Sequence, residues 1–267
     1  MKKKVFKSGL LHTFLFTRIH LLLMIFFLLF SYFLLTEMLT RDTNIYDYFL
    51  SISNINTLLF ILAPFFFISS TSLFTFGSIE SYLLIRFKGK RNWYLFHLFL
   101  IAAYTTVFCL LLIAVMALEG IFVLNVENEW STYTVNFFSY HHEFLENFTP
   151  VTVVFLSISL VWLFLFSYGL LYYLMKLLTG KTLFAFTIVF LVNGLNIVAE
   201  LSRWETISSY LFFKRVNVFQ YIYLVNAEQT QFPGGIYFYW LIIIVVIAAI
   251  GYYIVDKMDL DTKKGKD

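Results

Sequence analysis

Six long apolar segments alternate with polar ones along this 267-residue chain, and the alternation predicts its architecture. Each segment is close to the ~20 residues that an α-helix needs to cross the hydrocarbon core of a bilayer. A helix satisfies its own backbone hydrogen bonds where lipid cannot, so the expected fold class is an all-α polytopic membrane protein. A β-barrel would show alternating segments of ~10 residues, and no such pattern is visible. The predicted spans are residues 19–36, 57–77, 94–118, 151–175, 182–199 and 236–255.

An amphipathic helix is predicted before the first span. Phe6, Leu10 and Phe14 recur at helical spacing within residues 5–17, close to a cluster of lysines. A helix of this kind lies in the membrane interface with its lysines among the lipid headgroups. A frayed extension of the first span is the alternative interpretation.

Residues 201–235 carry apolar stretches that are too short to span a bilayer. These stretches, Tyr210–Phe213 and Val216–Val225, are flanked by charged residues. Short apolar pieces of this length are typical of re-entrant or interfacial helices, which we expect here before the last span.

Pro64 interrupts the second predicted span. Proline removes one backbone N–H and is expected to kink the helix at this point. Membrane helices tolerate such a proline when a neighbouring group satisfies the freed carbonyl.

The distribution of basic residues predicts the orientation of the spans. Cytoplasmic segments of membrane proteins carry an excess of Lys and Arg. With six spans and a cytoplasmic N-terminus, the outer segments hold 4 of the 19 basic residues and the cytoplasmic segments hold the other 15. We therefore expect both termini on the cytoplasmic side. The four outer residues are Arg41, Arg203, Lys214 and Arg215.

Composition supports a membrane protein and limits the available chemistry. Hydrophobic residues make up 60% of the chain and charged residues 13%, whereas soluble domains carry roughly 25% charged residues. The single Cys109 excludes an intrachain disulfide. The predicted spans carry no charged relay of the kind that proton-coupled transporters use, so any transport would draw its energy from another subunit.

Two short motifs suggest enzyme chemistry only superficially. Gly180-Lys181-Thr182 matches the end of a phosphate-binding loop, but Met175 replaces the required first glycine and no strand precedes it. We interpret it as a tight turn between two spans, so the chain has no ATPase site of its own. His142 and Glu146 have the i, i+4 spacing of helical zinc ligands, but the motif lacks a third ligand. No catalytic residue and no metal site is therefore assigned.

Three polar residues share one face of the predicted fifth span. Asn193, Asn196 and Glu200 lie at i, i+3 and i+7 near its outer end. Polar groups in membrane helices face a bundle interior or water, which suggests part of a substrate path. Interhelical hydrogen bonding that only fixes packing is the alternative.

The stretch from Ser78 to Trp93, SIESYLLIRFKGKRNW, is a dense basic cluster between two spans. It resembles the cytoplasmic loop after the second span in permease subunits of bacterial type-2 ATP-binding cassette (ABC) exporters. In those loops an acidic residue precedes an L-x-x-R turn, followed by a glycine and a basic-aromatic start of the third span. The resemblance implies that residues 78–93 form a coupling helix that docks on an ATPase. The contact residues that it implies are Glu80, Tyr82, Arg86, Lys88, Lys90 and Arg91.

The resemblance covers nearly the whole chain as architecture and the central loop as motif. It implies a single permease domain, residues 1–267, in the bacterial cytoplasmic membrane. The expected partners are a cytoplasmic ABC ATPase subunit, a second permease copy or paralogue, and the lipid bilayer, but no nucleic acid. This chain is expected to hold no cofactor, since ATP and Mg would bind to the ATPase.

The expected cargo is amphipathic or hydrophobic, such as a peptide, an antimicrobial peptide or a lipid. A non-transporting membrane assembly or sensor protein is the main alternative function. A membrane-embedded hydrolase is the other, although the sequence offers no convincing nucleophile or paired intramembrane acids for it. The role of the acidic segment 119–150 stays open at this point.

Overall fold

The computed structural model describes residues 19–71, 89–225 and 232–257. Within these ranges the regular elements are helical, apart from an isolated parallel β-bridge between Asn44 and Asn125. The predicted all-α fold is therefore confirmed. The helices are α1 (Ile19–Leu39), α2 (Ile45–Ser53), α3 (Ile55–Ser70), α4 (Lys90–Ile121), α5 (Thr132–Phe137), α6 (His142–Asn147), α7 (Pro150–Thr179), α8 (Thr182–Leu201), α9 (Glu205–Ser208), α10 (Val218–Val225) and α11 (Gly235–Lys257).

Five of these helices are long and apolar enough to cross a membrane: α1, α4, α7, α8 and α11. The bent pair of α2 and α3 makes a sixth candidate if the two helices form one span. The five long helices cover the corresponding predicted spans and extend up to four residues beyond them. The described part of the chain thus has the all-α architecture of a membrane protein. The predicted amphipathic helix at residues 5–17 lies outside the described residues.

The second predicted span differs from the expectation of a single helix over residues 57–77. The described part of α3 begins at Ile55, and α2 precedes it at an angle of 59°. Asn54 separates them because its extended backbone (φ −70°, ψ 150°) ends the 3-10 turn Ser51–Ser53. The 59° bend therefore lies at Asn54, and the predicted kink position, Pro64, follows the π-helical turn Leu58–Leu62.

The start of α2 is fixed by a capping box at Asn44. The Asn44 side chain accepts hydrogen bonds from the backbone N–H groups of Tyr46 and Asp47, and the Asp47 carboxylate accepts one from the Asn44 N–H. This arrangement satisfies donors that the first turn of a helix leaves unpaired. α2 then buries the full side chain of Tyr48, so the segment predicted as an outer loop is part of the core.

The central helix of the bundle is α7, which packs against α4, α8 and α11. Buried residues make up 56% of its span, against 17% for α11. Gly169 allows the close approach of α4, because a Cβ atom at this position would lie 2.6 Å from Cγ2 of Ile101. The two helices can therefore pack at this distance only around a residue without a side chain.

The two ends of the bundle differ in character. At one end, here called the loop end, residues 122–149 and 202–225 fold over the helices as short helices and turns. These two segments pack together, with the Phe138 and Phe219 rings stacked at a centroid distance of 3.8 Å. The opposite end, here called the basic end, carries Lys90, Arg91, Lys176, Lys181 and Lys257.

The segment predicted to hold re-entrant helices is helical and is attached to α11. The indole N–H of Trp240 donates a hydrogen bond of 2.8 Å to the carbonyl oxygen of Arg215. The Arg215 guanidinium lies 5.6 Å from the Tyr221 ring centroid and 4.9 Å from that of Tyr239. Both rings can attract the cation through their π faces, which holds the segment against the start of α11.

Candidate functional site

The polar face of α8 forms a column that runs toward the loop end. Asn193 and Asn196 are buried, with 1% of each side chain exposed, and Glu200 is half-buried one turn further along. α8 supplies the column because residues three, four and seven apart lie on the same side of a helix. The three residues singled out from the sequence thus share one face of α8, although they have different surroundings.

Asn193 compensates for Pro64. In the π-helical turn Leu58–Leu62 the N–H of Ala63 donates to the carbonyl of Leu58, five residues earlier. In the same register, the carbonyl of Leu59 would accept from the N–H of residue 64. That residue is Pro64, which has no N–H. The side-chain amide of Asn193 donates to the Leu59 carbonyl instead, at 2.8 Å. A neighbouring helix therefore satisfies the freed carbonyl, as the sequence argument required.

Asn196 joins three parts of the bundle. Its amide nitrogen donates to the Tyr168 hydroxyl of α7 at 3.0 Å and to the Val192 carbonyl at 2.9 Å. Its amide oxygen accepts a hydrogen bond of 3.0 Å from the backbone N–H of Phe212. Both asparagines are therefore engaged in interhelical hydrogen bonds, as the packing alternative describes.

Glu200 differs from the two asparagines because it lines a cavity. Its carboxylate has no hydrogen bond or ion pair among the described residues, and Lys214 acts on it through a longer-range electrostatic attraction. The cavity has a volume of about 410 Å³ and lies at the loop end. It is bounded by α1, the α2–α3 bend, the Tyr133–Phe138 segment and the start of α10.

Two further carboxylates and one guanidinium line the same cavity. Arg41 pairs with Glu37 at 2.8 Å and also donates a hydrogen bond of 2.8 Å to the Tyr133 hydroxyl. Asp47 is buried, and besides its place in the capping box it accepts a hydrogen bond from the Thr134 hydroxyl. Glu37 and Asp47 are thus occupied by partners within the protein, and Glu200 is the carboxylate left facing the cavity.

The rest of the lining combines amides with apolar side chains. Asn217 is buried and is held by hydrogen bonds to the Ser53 carbonyl and from the Gln220 N–H, whereas the Gln220 side chain is exposed. The apolar part of the wall consists of Leu34, Met38, Leu50, Ile55, Phe137, Phe138, Phe213 and Phe219. The cavity thus places an acidic surface beside an aromatic one.

The central basic stretch is described only from Gly89 onward. Glu80, Tyr82, Arg86 and Lys88 lie outside the described residues, so their predicted contact with an ATPase stays a prediction. Lys90 and Arg91 form the first turn of α4. Nε of Arg91 lies 3.1 Å from Oδ1 of Asp256, and its guanidinium lies 5.5 Å from the Tyr252 ring centroid. The end of the stretch is thus attached to the last turn of α11.

The two motifs that resemble enzyme sites form a helix end and an exposed side-chain pair. Gly180 ends α7 in the left-handed region (φ 68°), which a residue without a side chain adopts readily, and α8 begins at Thr182. His142 and Glu146 form an exposed i, i+4 contact of 3.3 Å. In the part of the chain that the structure describes, no three His, Cys, Asp or Glu residues are grouped so that they could hold a metal ion.

Sequence reasoning missed most of the cavity wall. Arg41 was predicted only as an outer basic residue, Glu37 and Asp47 were not singled out, and their convergence with Glu200 depends on the α2–α3 bend. One signal was available in the sequence: Asn44 followed by Asp47 before an apolar run is a capping-box pattern. That pattern marks α2, but not the residues that α2 meets.

Comparison with known proteins gives one informative relative. No family model matches the chain, and no solved structure matches it. The uncharacterized protein BH0177 of Halalkalibacterium halodurans is 33% identical over 233 residues, which cover 87% of this chain and 86% of that protein. At this identity and coverage, the chain belongs to the same protein family as BH0177.

Proposed function

We propose that this chain is the membrane-spanning permease subunit of a bacterial ATP-driven ABC exporter. It would move an amphipathic or hydrophobic cargo with energy from a separate ATPase subunit, as a pair with a second permease copy or paralogue. The observation that supports this best is the contact between Arg91 and Asp256. It joins the end of the coupling stretch to the last span, so a force on the stretch reaches two spans at once.

In this proposal α2 and α3 form one bent span, so the chain crosses the bilayer six times. The basic end then faces the cytoplasm, in line with the excess of Lys and Arg in cytoplasmic segments. The loop end faces outward, and the short helices between α8 and α11 are re-entrant or interfacial. Both termini are cytoplasmic.

The positions of charged residues favour an external energy source. In the described spans the charged residues lie near the helix ends, for example Glu37 and Glu119 at the loop end and Lys176 at the basic end. A proton-driven transporter needs ionisable groups along its path within the membrane. ATP hydrolysis on a partner subunit removes that need.

The packing of the bundle supplies a route for the movement. ATP binding closes the two ATPases, and the loop 78–93 passes that displacement to α4 and, through Asp256, to α11. Both helices pack on α7, so their joint movement alters the central helix and, with it, the α8 column that ends at the cavity. Alternating access then results from rocking these helices around the column.

The test is co-purification with a stand-alone ABC ATPase from the same organism, chosen from a reading frame beside this gene if one encodes it, followed by measurement of ATP turnover. Arg86→Glu reverses one charge in the coupling stretch and is expected to weaken both binding and turnover. Arg203→Glu, at the loop end, is the matched control and is expected to leave both unchanged. If wild type binds no ATPase, the proposal fails and a non-transporting assembly or sensor role becomes the better one. If Arg86→Glu binds and turns over like wild type, the coupling-stretch assignment fails.

A further inference from the structure

We propose that the loop-end cavity binds a short apolar peptide segment that carries one ammonium or guanidinium group. As a binding site it needs no ATPase, whereas its role as a cargo site rests on the proposed function. The volume of about 410 Å³ lies within the range of roughly 300–1,000 Å³ that small-ligand sites occupy. It can therefore hold a few side chains, but not a folded partner.

The charge of the lining selects a cation. Three carboxylates, Glu37, Asp47 and Glu200, face one guanidinium, that of Arg41, so the charged side chains of the wall sum to −2. The N-terminus of α3 also faces the cavity and adds about half a positive charge, which is too small to reverse this sign. Lys214 lies near Glu200 without pairing with it. An anion would therefore be repelled, and a cation would be attracted.

Glu200 is the group that meets the cation. Arg41 is occupied by Glu37 and Tyr133, and the buried Asp47 is used in the capping box and by Thr134. Glu200 projects from a rigid helix and keeps an unpaired carboxylate at the cavity wall. A guanidinium there would gain a charge-assisted hydrogen bond, which is shorter and stronger than a neutral one.

The apolar wall receives the rest of the segment. Phe137, Phe213 and Phe219 lie on the side of the cavity made by the loop-end segments. Phe137 is 64% exposed, so its ring surface is available for contact. Aromatic faces also attract cations, so the two parts of the wall favour the same kind of ligand.

The break between α2 and α3 gives an independent reason to expect a ligand here. Asn54, Ile55 and Asn56 line the cavity where regular helix is interrupted. In membrane proteins, irregular backbone is tolerated where it is buried in protein or lines a water-filled cavity, and interrupted helices commonly form binding sites in transporters. A bend of 59° at a cavity wall fits that use.

The experiment measures binding of the peptide Leu-Leu-Arg-Leu-Leu amide, whose N-terminus is blocked by a neutral fluorophore so that arginine is its only charge, to the full chain in nanodiscs of neutral phosphatidylcholine. A matched peptide carries citrulline, which keeps the shape of arginine and removes its charge. Empty nanodiscs report partition into lipid. Wild type is expected to bind the arginine peptide about tenfold more tightly than the citrulline peptide, in line with a hydrogen bond to a charged group.

Two variants of the chain test the site itself. Glu200→Gln is expected to abolish the preference for arginine, whereas Glu143→Gln, an exposed carboxylate outside the cavity, is the control that keeps it. Gln220→Glu adds a carboxylate to the cavity wall and is expected to tighten arginine binding about threefold, by the worth of one exposed charge pair. A gain of affinity cannot come from misfolding.

Equal binding of the two peptides by wild type would overturn the proposal. So would a preference that survives in Glu200→Gln together with no gain in Gln220→Glu. Neither result bears on ATPase binding, so failure of this inference and failure of the permease assignment are distinguishable.

Discussion

The side-chain amide of Asn193 donates a hydrogen bond of 2.8 Å to the carbonyl of Leu59 and so replaces the backbone N–H that Pro64 lacks. This contact explains how a proline is accommodated within an apolar helix and why a buried asparagine faces it. Asn193 and Pro64 are far apart in sequence. Asn193 pairs the carbonyl that Pro64 leaves without a donor, and that carbonyl gives the buried Asn193 amide an acceptor. Their energetic effects should therefore depend on each other.

Asn193→Leu is expected to lower the free energy of unfolding by about 1–3 kcal/mol, because it leaves the Leu59 carbonyl buried and unpaired. Pro64→Ala restores a backbone N–H that can serve Leu59, so Asn193→Leu should cost less in that background. Equilibrium unfolding of the four proteins in mixed micelles measures the coupling between the two sites. Additive effects would show that Asn193 does not stand in for the missing N–H.

Close packing of α4 on α7 predicts a strong effect at Gly169. Gly169→Ala would place Cβ 2.6 Å from Cγ2 of Ile101, and overpacking of this kind costs about 1–3 kcal/mol. Gly194 lies in α8 with open space around its missing side chain, so Gly194→Ala is the matched control and should be neutral or slightly stabilising. Ile101→Ala removes Cγ2 and should reduce the cost of Gly169→Ala. Thermal unfolding of the four variants provides the measurement, and an equal effect of the two glycine substitutions would contradict the packing argument.

A pH effect is expected at the loop end from His141. His141 is buried, with 9% of the residue exposed, beside Phe138 and Phe219, and burial lowers the pKa of its imidazole. The folded state then binds a proton less readily than the unfolded chain, whose histidine titrates near about 6.5. Stability should fall as the pH drops through and below that value, by at most ~1.4 kcal/mol per pH unit for this one group.

His141→Phe removes the titrating group and should flatten that part of the pH profile between pH 7.5 and 5. His142→Gln, a substitution of the adjacent exposed histidine, is measured in parallel as the control. Unfolding free energies measured across this range decide the point. An unchanged slope in His141→Phe would assign the pH effect to other groups.

Substitutions in the Arg91–Asp256 pair are expected to affect the proposed transmission of movement from the ATPase to the helices, with little effect on folding. Both side chains are substantially exposed, at 64% and 49%, and exposed ion pairs contribute little to stability. Arg91→Asp should therefore leave the unfolding temperature nearly unchanged and, if the proposed ATPase complex forms, lower its ATP turnover. The double variant Arg91→Asp with Asp256→Arg restores opposite charges and should recover part of that turnover. If the double variant is no better than the single one, the contact does not carry the movement.

Sequence patterns predicted the local features well, because local chemistry controls them. Apolar length determined the five long helices, and the tight turn at Gly180 followed from the residue that ends α7. The face shared by Asn193, Asn196 and Glu200 followed from helical spacing alone. Their separate roles did not follow from it. Helical spacing shows which face a residue lies on, but not whether that residue meets the Leu59 carbonyl or a cavity.

The sequence by itself determined that this chain is a bundle of membrane-length helices, because lipid imposes length and apolarity on each span independently of the others. Only the tertiary structure decided where the second span bends, which carbonyl Asn193 serves, and that Glu37, Arg41, Asp47 and Glu200 surround one cavity. These features depend on contacts between residues distant in sequence. Such contacts are set by how whole helices pack, and no local pattern records that packing.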